Sequence, residues 1–180
     1  MAHLHTFSLL NICNLSEPSS STSQFRNDIM AQQISISAVQ AILGYAFDDP
    51  ELLWSALHAA GSPYGGRDGN KTMAMLGDAV LKLVLLVDLI PTGAPRGTIS
   101  NVADSIVSNQ NLAEVCTDTG IALYINGNLS HVGEQSPKTK TATIEAILAA
   151  VFLDSGKNIE TVRTAMASLG LAAPAATGTG

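Results

Sequence analysis

The sequence predicts an all-α fold, and two observations support this. Apolar residues recur at helical spacing in nearly every segment of the central part of the chain. No segment has the strict alternation of apolar and polar residues that a half-buried strand requires. The 180 residues are 46% apolar but only 4% aromatic, so aliphatic side chains and alanines must build the core of one domain.

The two ends of the chain differ in composition from this central part. Residues 1–33 include the polar run Ser19–Ser23, and such a segment buries too little surface to offset the entropy lost on ordering. We therefore predict a flexible N-terminal arm over residues 1–33. Residues 171–180 are rich in Ala, Pro, Gly and Thr and are expected to form a disordered tail. The folded domain should span residues 34–170.

The first predicted helices are marked by their starts and ends. Asp49-Pro50-Glu51 is typical of a helix start, with an N-cap, a proline at the first helical position and an acid in the first turn. The stretch from Asn70 to Ile90 is apolar on most sides, which favours a helix in the middle of the domain. Pro91 predicts the end of that helix.

Three further helices complete the domain. We predict one helix from about Ser100 to Asp118, one over Thr141–Asp154 that is closed by Gly156, and a last one over Ile159–Leu169. The short apolar piece Ile121–Ile125 has no clear type and is followed by a polar loop. The whole pattern indicates about six or seven helices.

The charge balance limits the function classes. Nine basic and fifteen acidic residues give a formal net charge of −6. This argues against a protein that binds polyanions by simple electrostatics, because such proteins carry a basic face. An enzyme that acts on nucleic acid remains open, since its site can be acidic in order to hold metal ions.

Cysteine usage and hydropathy bear on location. Cys13 and Cys116 are far apart, which predicts neither a disulfide framework nor a zinc site. We therefore expect an intracellular protein, cytoplasmic or nuclear, with a mitochondrial location left open. The longest apolar run, Ala79–Ile90, is interrupted by Lys82 and Asp88 and is too short to span a bilayer, so no membrane is expected as a partner.

Two acids stand inside otherwise apolar helical segments. Asp78 and Glu145 each need a partner, a metal ion or a water-filled cleft, because burying a lone carboxylate is costly. The alternative is that both are solvated, with Asp78 paired to Lys82 one helical turn further on.

Several segments together resemble the ribonuclease III family. The stretch Asn70-Lys-Thr-Met-Ala-Met-Leu-Gly-Asp-Ala-Val-Leu81 is similar to the family signature Asn-Glu-Arg-Leu-Glu-Phe-Leu-Gly-Asp-Ala-Val-Leu. Val107–Ala113 resembles the family's middle helix, and Pro137–Gly156 resembles its final motif. With the opening Leu43-Gly-Tyr-Ala-Phe47, the similarity covers about residues 38–168 in the correct order.

The resemblance implies an all-α domain of the ribonuclease III endonuclease type and magnesium-assisted hydrolysis of double-stranded RNA. In that chemistry four carboxylates, two on each of two helices, hold the metal ions. Asp78 and Glu145 match two of these positions and are the implied metal ligands and catalytic residues. Ala74 and Ala142 stand where the other two acids are expected, and Lys71 replaces a further glutamate. We therefore expect Mg²⁺ to bind weakly or not at all.

We accordingly expect a protein that processes or binds RNA, with cleavage lost or proceeding without the usual two metal ions. In the second case Glu145 or Asp78 would act as general base, while Lys71 or Lys138 would supply part of the metal's charge. One alternative is a non-catalytic dimerisation module or scaffold subunit of a ribonucleoprotein. Another is a fold recruited to an unrelated small-molecule reaction.

The remaining candidate residues concern substrate and partner. Asn70, Lys138 and Lys140 are candidates for RNA contact, although solvated loop lysines explain the last two equally well. Met75 takes the place of the family's aromatic residue, which packs into the partner subunit. The resemblance therefore implies a symmetric homodimer through this helix, with core filling as the alternative.

Overall fold

The computed structural model describes residues 20–128, 130 and 133–174. Within these residues the chain forms seven α-helices, two short 3₁₀-helices and no strands, which confirms the all-α prediction. The α-helices are α1 (Ser20–Leu43), α2 (Pro50–Ala56), α3 (Lys71–Leu89), α4 (Arg96–Ile106), α5 (Asn109–Asp118), α6 (Pro137–Asp154) and α7 (Ile159–Ser168). The 3₁₀-helices are Ile90–Thr92 and Ile121–Tyr124. No helix of the described ranges is long and apolar enough to cross a membrane.

Helices α3 and α6 form the centre of the domain and cross at very short range. A Cβ atom built on Gly77 would lie 1.7 Å from the carbonyl oxygen of Glu145. Only a residue without a side chain permits this approach. The crossing therefore brings Asp78, the next residue of α3, beside Glu145 on α6.

The predicted single helix from Ser100 to Asp118 is wrong, because the chain breaks between α4 and α5. The Ser108 hydroxyl accepts a hydrogen bond from the Asn111 amide at 3.3 Å and caps the start of α5. The side-chain amide of Asn111 donates to the carbonyl oxygen of Ile106, the last residue of α4, at 2.7 Å. These local bonds satisfy backbone groups that a continuous helix would pair, so they compete with it.

Both ends of the domain extend beyond the predicted bounds. Helix α1 begins at Ser20, inside the predicted flexible arm, and its later residues Val39 and Leu43 are fully buried. Residues 26–34 of this helix are mostly exposed. Since helix formation is cooperative, the earlier part of α1 extends from its anchored end. Leu171, which we assigned to the disordered tail, is also fully buried, and its amide donates to the Met166 carbonyl at 2.8 Å. The rest of the predicted arm and tail, residues 1–19 and 175–180, lies outside the described residues.

Asp154, the last residue of α6, fastens the turn between α1 and α2. Its carboxylate accepts hydrogen bonds from the Tyr45 hydroxyl at 2.7 Å and from the amides of Asp48 at 3.0 Å and Asp49 at 2.8 Å. Burial tends to raise the pKa of Asp154, but these hydrogen bonds to the charged form lower it below its ordinary value. Asp49 in turn caps α2 by accepting from the Glu51 amide, as predicted.

Candidate functional site

The structure brings Asp78 and Glu145 together at the crossing of α3 and α6. We call these two residues the acid pair. Glu145 is half-buried, and burial, followed by the negative charge of Asp78, raises the pKa of its carboxyl to about 7. The positive charge of Lys82 acts in the opposite direction. The acid pair therefore contains one carboxyl that exchanges its proton near neutral pH.

Lys82 is the positively charged residue that bonds to the acid pair. Its ammonium group lies 2.8 Å from the Asp78 carboxylate, one helical turn away on α3. This hydrogen bond raises the pKa of Lys82, and the charges of Glu145 and of Asp104 on α4 add to the effect. The sequence suggested the pairing of Asp78 with Lys82, but nothing in it indicated that Asp104 faces the same group.

The residues at the crossing do not fit a pair of magnesium ions. Ala74 on α3 and Ala142 on α6 offer methyl groups where the resemblance expects carboxylates, and Lys82 already neutralises Asp78. Magnesium needs six oxygen ligands, and two carboxylates leave most of them to water or substrate. Among the described residues, no three His, Cys, Asp or Glu side chains are arranged to hold a metal ion.

A cavity of about 380 Å³ opens where α3 and α6 begin, and we call it the lysine cavity. It brings together three predicted site residues: Asn70, Lys71 and Lys138. Lys71 precedes Asp78 by seven residues, or about 10 Å along α3, so the cavity and the acid pair follow one seam between the helices. The lining consists of Ala59, Ala60, Asn70, Lys71, Ser136, Lys138, Thr139 and Ala142.

Asn70 holds the cavity wall in place. The residue is only 3% exposed, and its side-chain amide donates to the Ala56 carbonyl at 2.7 Å and to the Thr143 hydroxyl at 3.3 Å. It thereby joins the end of α2, the start of α3 and the middle of α6. The side-chain nitrogen of Asn70 is therefore already engaged by protein partners.

Lys140 lies apart from the other predicted RNA-binding residues. Its side chain is 8% exposed, and its ammonium group bonds to the Thr117 hydroxyl at 3.0 Å and to the Glu134 carboxylate. It lines a different cavity, of about 520 Å³, between α5 and the start of α6. A buried and paired lysine is less accessible to a phosphate than the exposed Lys71 and Lys138.

Met75 projects from α3 into solvent and is 76% exposed, so it does not fill the core. Further exposed apolar side chains follow along this helix and just beyond its end: Leu83, Leu86, Val87 and Ile90. We call Met75 and these four residues the α3 surface strip. A row of this kind is unusual on a solvated helix and is typical of a protein contact.

Two residues of the lysine cavity, Ser136 and Thr139, are not among the site residues predicted from the sequence. The Ser136 hydroxyl accepts from the Thr139 amide at 3.2 Å, and the two hydroxyls lie 2.9 Å apart. The sequence does contain a sign of this helix start, because a serine followed by proline, as at Ser136-Pro137, is typical of the first residues of a helix. That start was predicted four residues too late, at Thr141 instead of Pro137.

The fold is that of a nuclease domain. The nuclease domain of ribonuclease III from Campylobacter jejuni superposes with a TM-score of 0.64 and 25% identity, covering 74% of this chain and 94% of that one. The chain belongs to the ribonuclease-III-like family, whose model matches residues 49–167.

Curated relatives agree with this assignment. Ribonuclease 3 from Dinoroseobacter shibae is 32% identical over 126 residues, which are 67% of this chain and 55% of the relative. Ribonuclease 3 from Syntrophobacter fumaroxidans is 29% identical over 131 residues, covering 67% and 54%. The chain thus spans just over half the length of these relatives.

Proposed function

We propose that this chain binds double-stranded RNA and that any cleavage it performs does not use two metal ions. The family generally acts on double-stranded RNA with Mg²⁺. The observation that carries the proposal is the composition of the α3–α6 crossing: two carboxylates, one of them bonded to an ammonium group, beside two alanines. Such a set supplies too few ligands for the two-metal mechanism.

The charges of the acid pair and of the two cavity lysines suggest a role for each residue. Glu145, with a pKa of about 7, can accept or release a proton under physiological conditions and is the candidate general base. Asp78 is held by Lys82 and contributes to the raised pKa of Glu145. Lys71 and Lys138 supply positive charge at the start of the same seam, where an RNA backbone would pass.

The chain is also proposed to act as a homodimer through the α3 surface strip. The family forms dimers, and the Campylobacter jejuni nuclease domain is described as flexible in a region involved in dimer formation. Met75 is unbranched and polarizable, so it adapts to an apolar site on a second copy of the chain. The occupant we assign to the strip is therefore the same strip region of a second copy.

The test is to incubate the chain with double-stranded and single-stranded RNA, in magnesium and in chelator, and to follow both binding and cleavage. We expect double-stranded RNA to be retained in both conditions, and no cleavage that chelator abolishes. Chelator-resistant cutting that is lost in Glu145→Gln would assign the base. Magnesium-dependent cutting would overturn the account of the site, and absence of RNA binding would favour a scaffold subunit or a small-molecule site.

A further inference from the structure

We propose that the lysine cavity binds a phosphate monoester group directly, without a divalent cation. The inference rests on the proposed function, since it takes the α3–α6 seam as the RNA site, and it adds which chemical group the start of that seam holds. It concerns the cavity itself and can be tested without RNA.

The charge of the cavity wall is the first argument. Two of the nine basic residues of an acidic chain, Lys71 and Lys138, line one cavity that contains no acidic residue. Both side chains are exposed, and in the described part of the chain neither forms an ion pair with a carboxylate. Their two positive charges are therefore available to a ligand.

The helix ends are the second argument. Lys71 is the first residue of α3 and Lys138 the second residue of α6, and neither helix has an acid in its first turn. A cation at a helix N-terminus is unfavourable, because the free amide groups there already carry partial positive charge. The Asn70 side chain does not cap α3. The Ser136 hydroxyl does cap α6, by accepting from the Thr139 amide, so the start of α3 is the less satisfied of the two helix ends. This positive helix end and the two ammonium groups converge on one space, and an anion from outside would neutralise them.

The size and donors of the cavity define the ligand. Lys71 and Lys138 match the two negative charges of a monoester better than the single charge of a phosphodiester. Ser136 and Thr139 add hydroxyl groups 2.9 Å apart on the cavity wall. The cavity of about 380 Å³ exceeds what a bare phosphate needs, which leaves room for an attached sugar.

Calorimetry with inorganic phosphate on the full chain, in chelator at constant ionic strength, tests the proposal. We expect saturable binding that weakens about tenfold for each lysine removed, in Lys71→Ala and in Lys138→Ala, because each loses a charge-assisted hydrogen bond. The control is the double variant Arg26→Ala with Arg96→Ala, which removes two exposed charges elsewhere and should change the Kd less than about twofold. This control is compared with the double variant Lys71→Ala with Lys138→Ala.

Three results would overturn the proposal: no saturable binding, equal weakening in both double variants, or binding that appears only with added Mg²⁺. Amide chemical shifts of the unaltered chain keep the test valid if a variant misfolds. On phosphate addition they should move at Lys71, Thr72, Lys138 and Thr139, and movement confined to other residues would contradict the assignment.

Two further ligands distinguish the sources of the phosphate. Adenosine monophosphate represents a free nucleotide, and a short RNA with a 5′-phosphate, compared with its 5′-hydroxyl form, represents an RNA end. Tighter binding of the phosphorylated RNA assigns the site to RNA ends, whereas equal or tighter binding of the nucleotide assigns it to free nucleotides. If phosphate binds while double-stranded RNA does not, the proposed function fails and this inference stands.

Discussion

Glu145 carries a carboxyl group whose pKa lies well above its ordinary value. Burial and the neighbouring Asp78 raise its pKa to about 7, although Lys82 opposes them. The structure thus places a proton-exchanging carboxyl at the crossing of α3 and α6, where Ala74 and Ala142 also lie. This environment supports the proposal that Glu145 acts as a base and not as one of four metal ligands.

Glu145→Gln tests this environment through stability. The folded-state pKa of about 7 lies above the ordinary value of 4.5, so the ionised carboxyl disfavours the folded state. The native chain should lose stability, relative to the variant, as pH rises from about 4.5 through 7. At about pH 8.5 we expect the variant to be more stable by roughly 1–2 kcal/mol, allowing for partial exposure, and near pH 4 the two should be equal.

Urea unfolding at the two pH values measures the difference directly. Glu114→Gln is the matched control, because this exposed glutamate on α5 hydrogen-bonds only a neighbouring glutamine in its own helix. A difference between Glu145→Gln and the native chain that does not change with pH would contradict the raised pKa.

At the scale of elements, the approach of α3 to α6 decides where the site forms. Gly77→Ala places a methyl group against the Glu145 carbonyl, and because the contact is backbone on backbone, the helices must separate. We expect a loss of about 2–4 kcal/mol in the free energy of unfolding, together with a changed Glu145 pKa. Denaturant unfolding gives the first quantity.

Gly97→Ala is the control for this substitution. Gly97 also lies in a helix, α4, but nothing stands within 4 Å of the position its Cβ would take. The change should therefore be neutral or slightly stabilising, since alanine favours helix. Equal effects of the two substitutions would show that the crossing is looser than described.

Some helix boundaries and contacts could be predicted from the sequence, and others could not. The start of α2 and the end of α3 were predictable, because each is set by residues at the boundary itself: Asp49 and Pro50 for α2, and Pro91 for α3. The break between α4 and α5 depends on the Asn111 side chain turning back to Ile106, which helical periodicity does not record. The pairing of Lys140 was not predictable either. Its partner Thr117 is distant in sequence, and its partner Glu134 lies in a loop.

At the scale of the whole molecule, the lysines of the cavity and the acid pair occupy different stretches of one seam. Lys71 and Lys138 lie at its start, and the acid pair follows about two turns later on α3. The sequence supplied both groups through the resemblance, but the cavity that joins the lysines required the fold. The α3 surface strip runs along one of the two helices that form this seam, so the proposed dimer contact and the candidate site both involve α3.

Met75→Glu tests the proposed dimer. A charge introduced into an apolar contact should weaken self-association by at least about a hundredfold, while the fold stays intact because the residue is exposed. Met30→Glu is the control, since Met30 is also exposed but lies on α1. Sedimentation over a range of concentrations gives the association constant. A monomer in all three proteins, or a dimer unaffected by Met75→Glu, would remove the strip from the interface.

The most direct measurement is Mn²⁺ binding, followed by calorimetry, in the native chain and in the double variant Ala74→Glu with Ala142→Asp. The native chain should bind the ion weakly, and the variant should bind it at least about tenfold more tightly, because two carboxylates are restored at the crossing. Only the variant should gain a tight site. Two tightly bound ions in the native chain would contradict it.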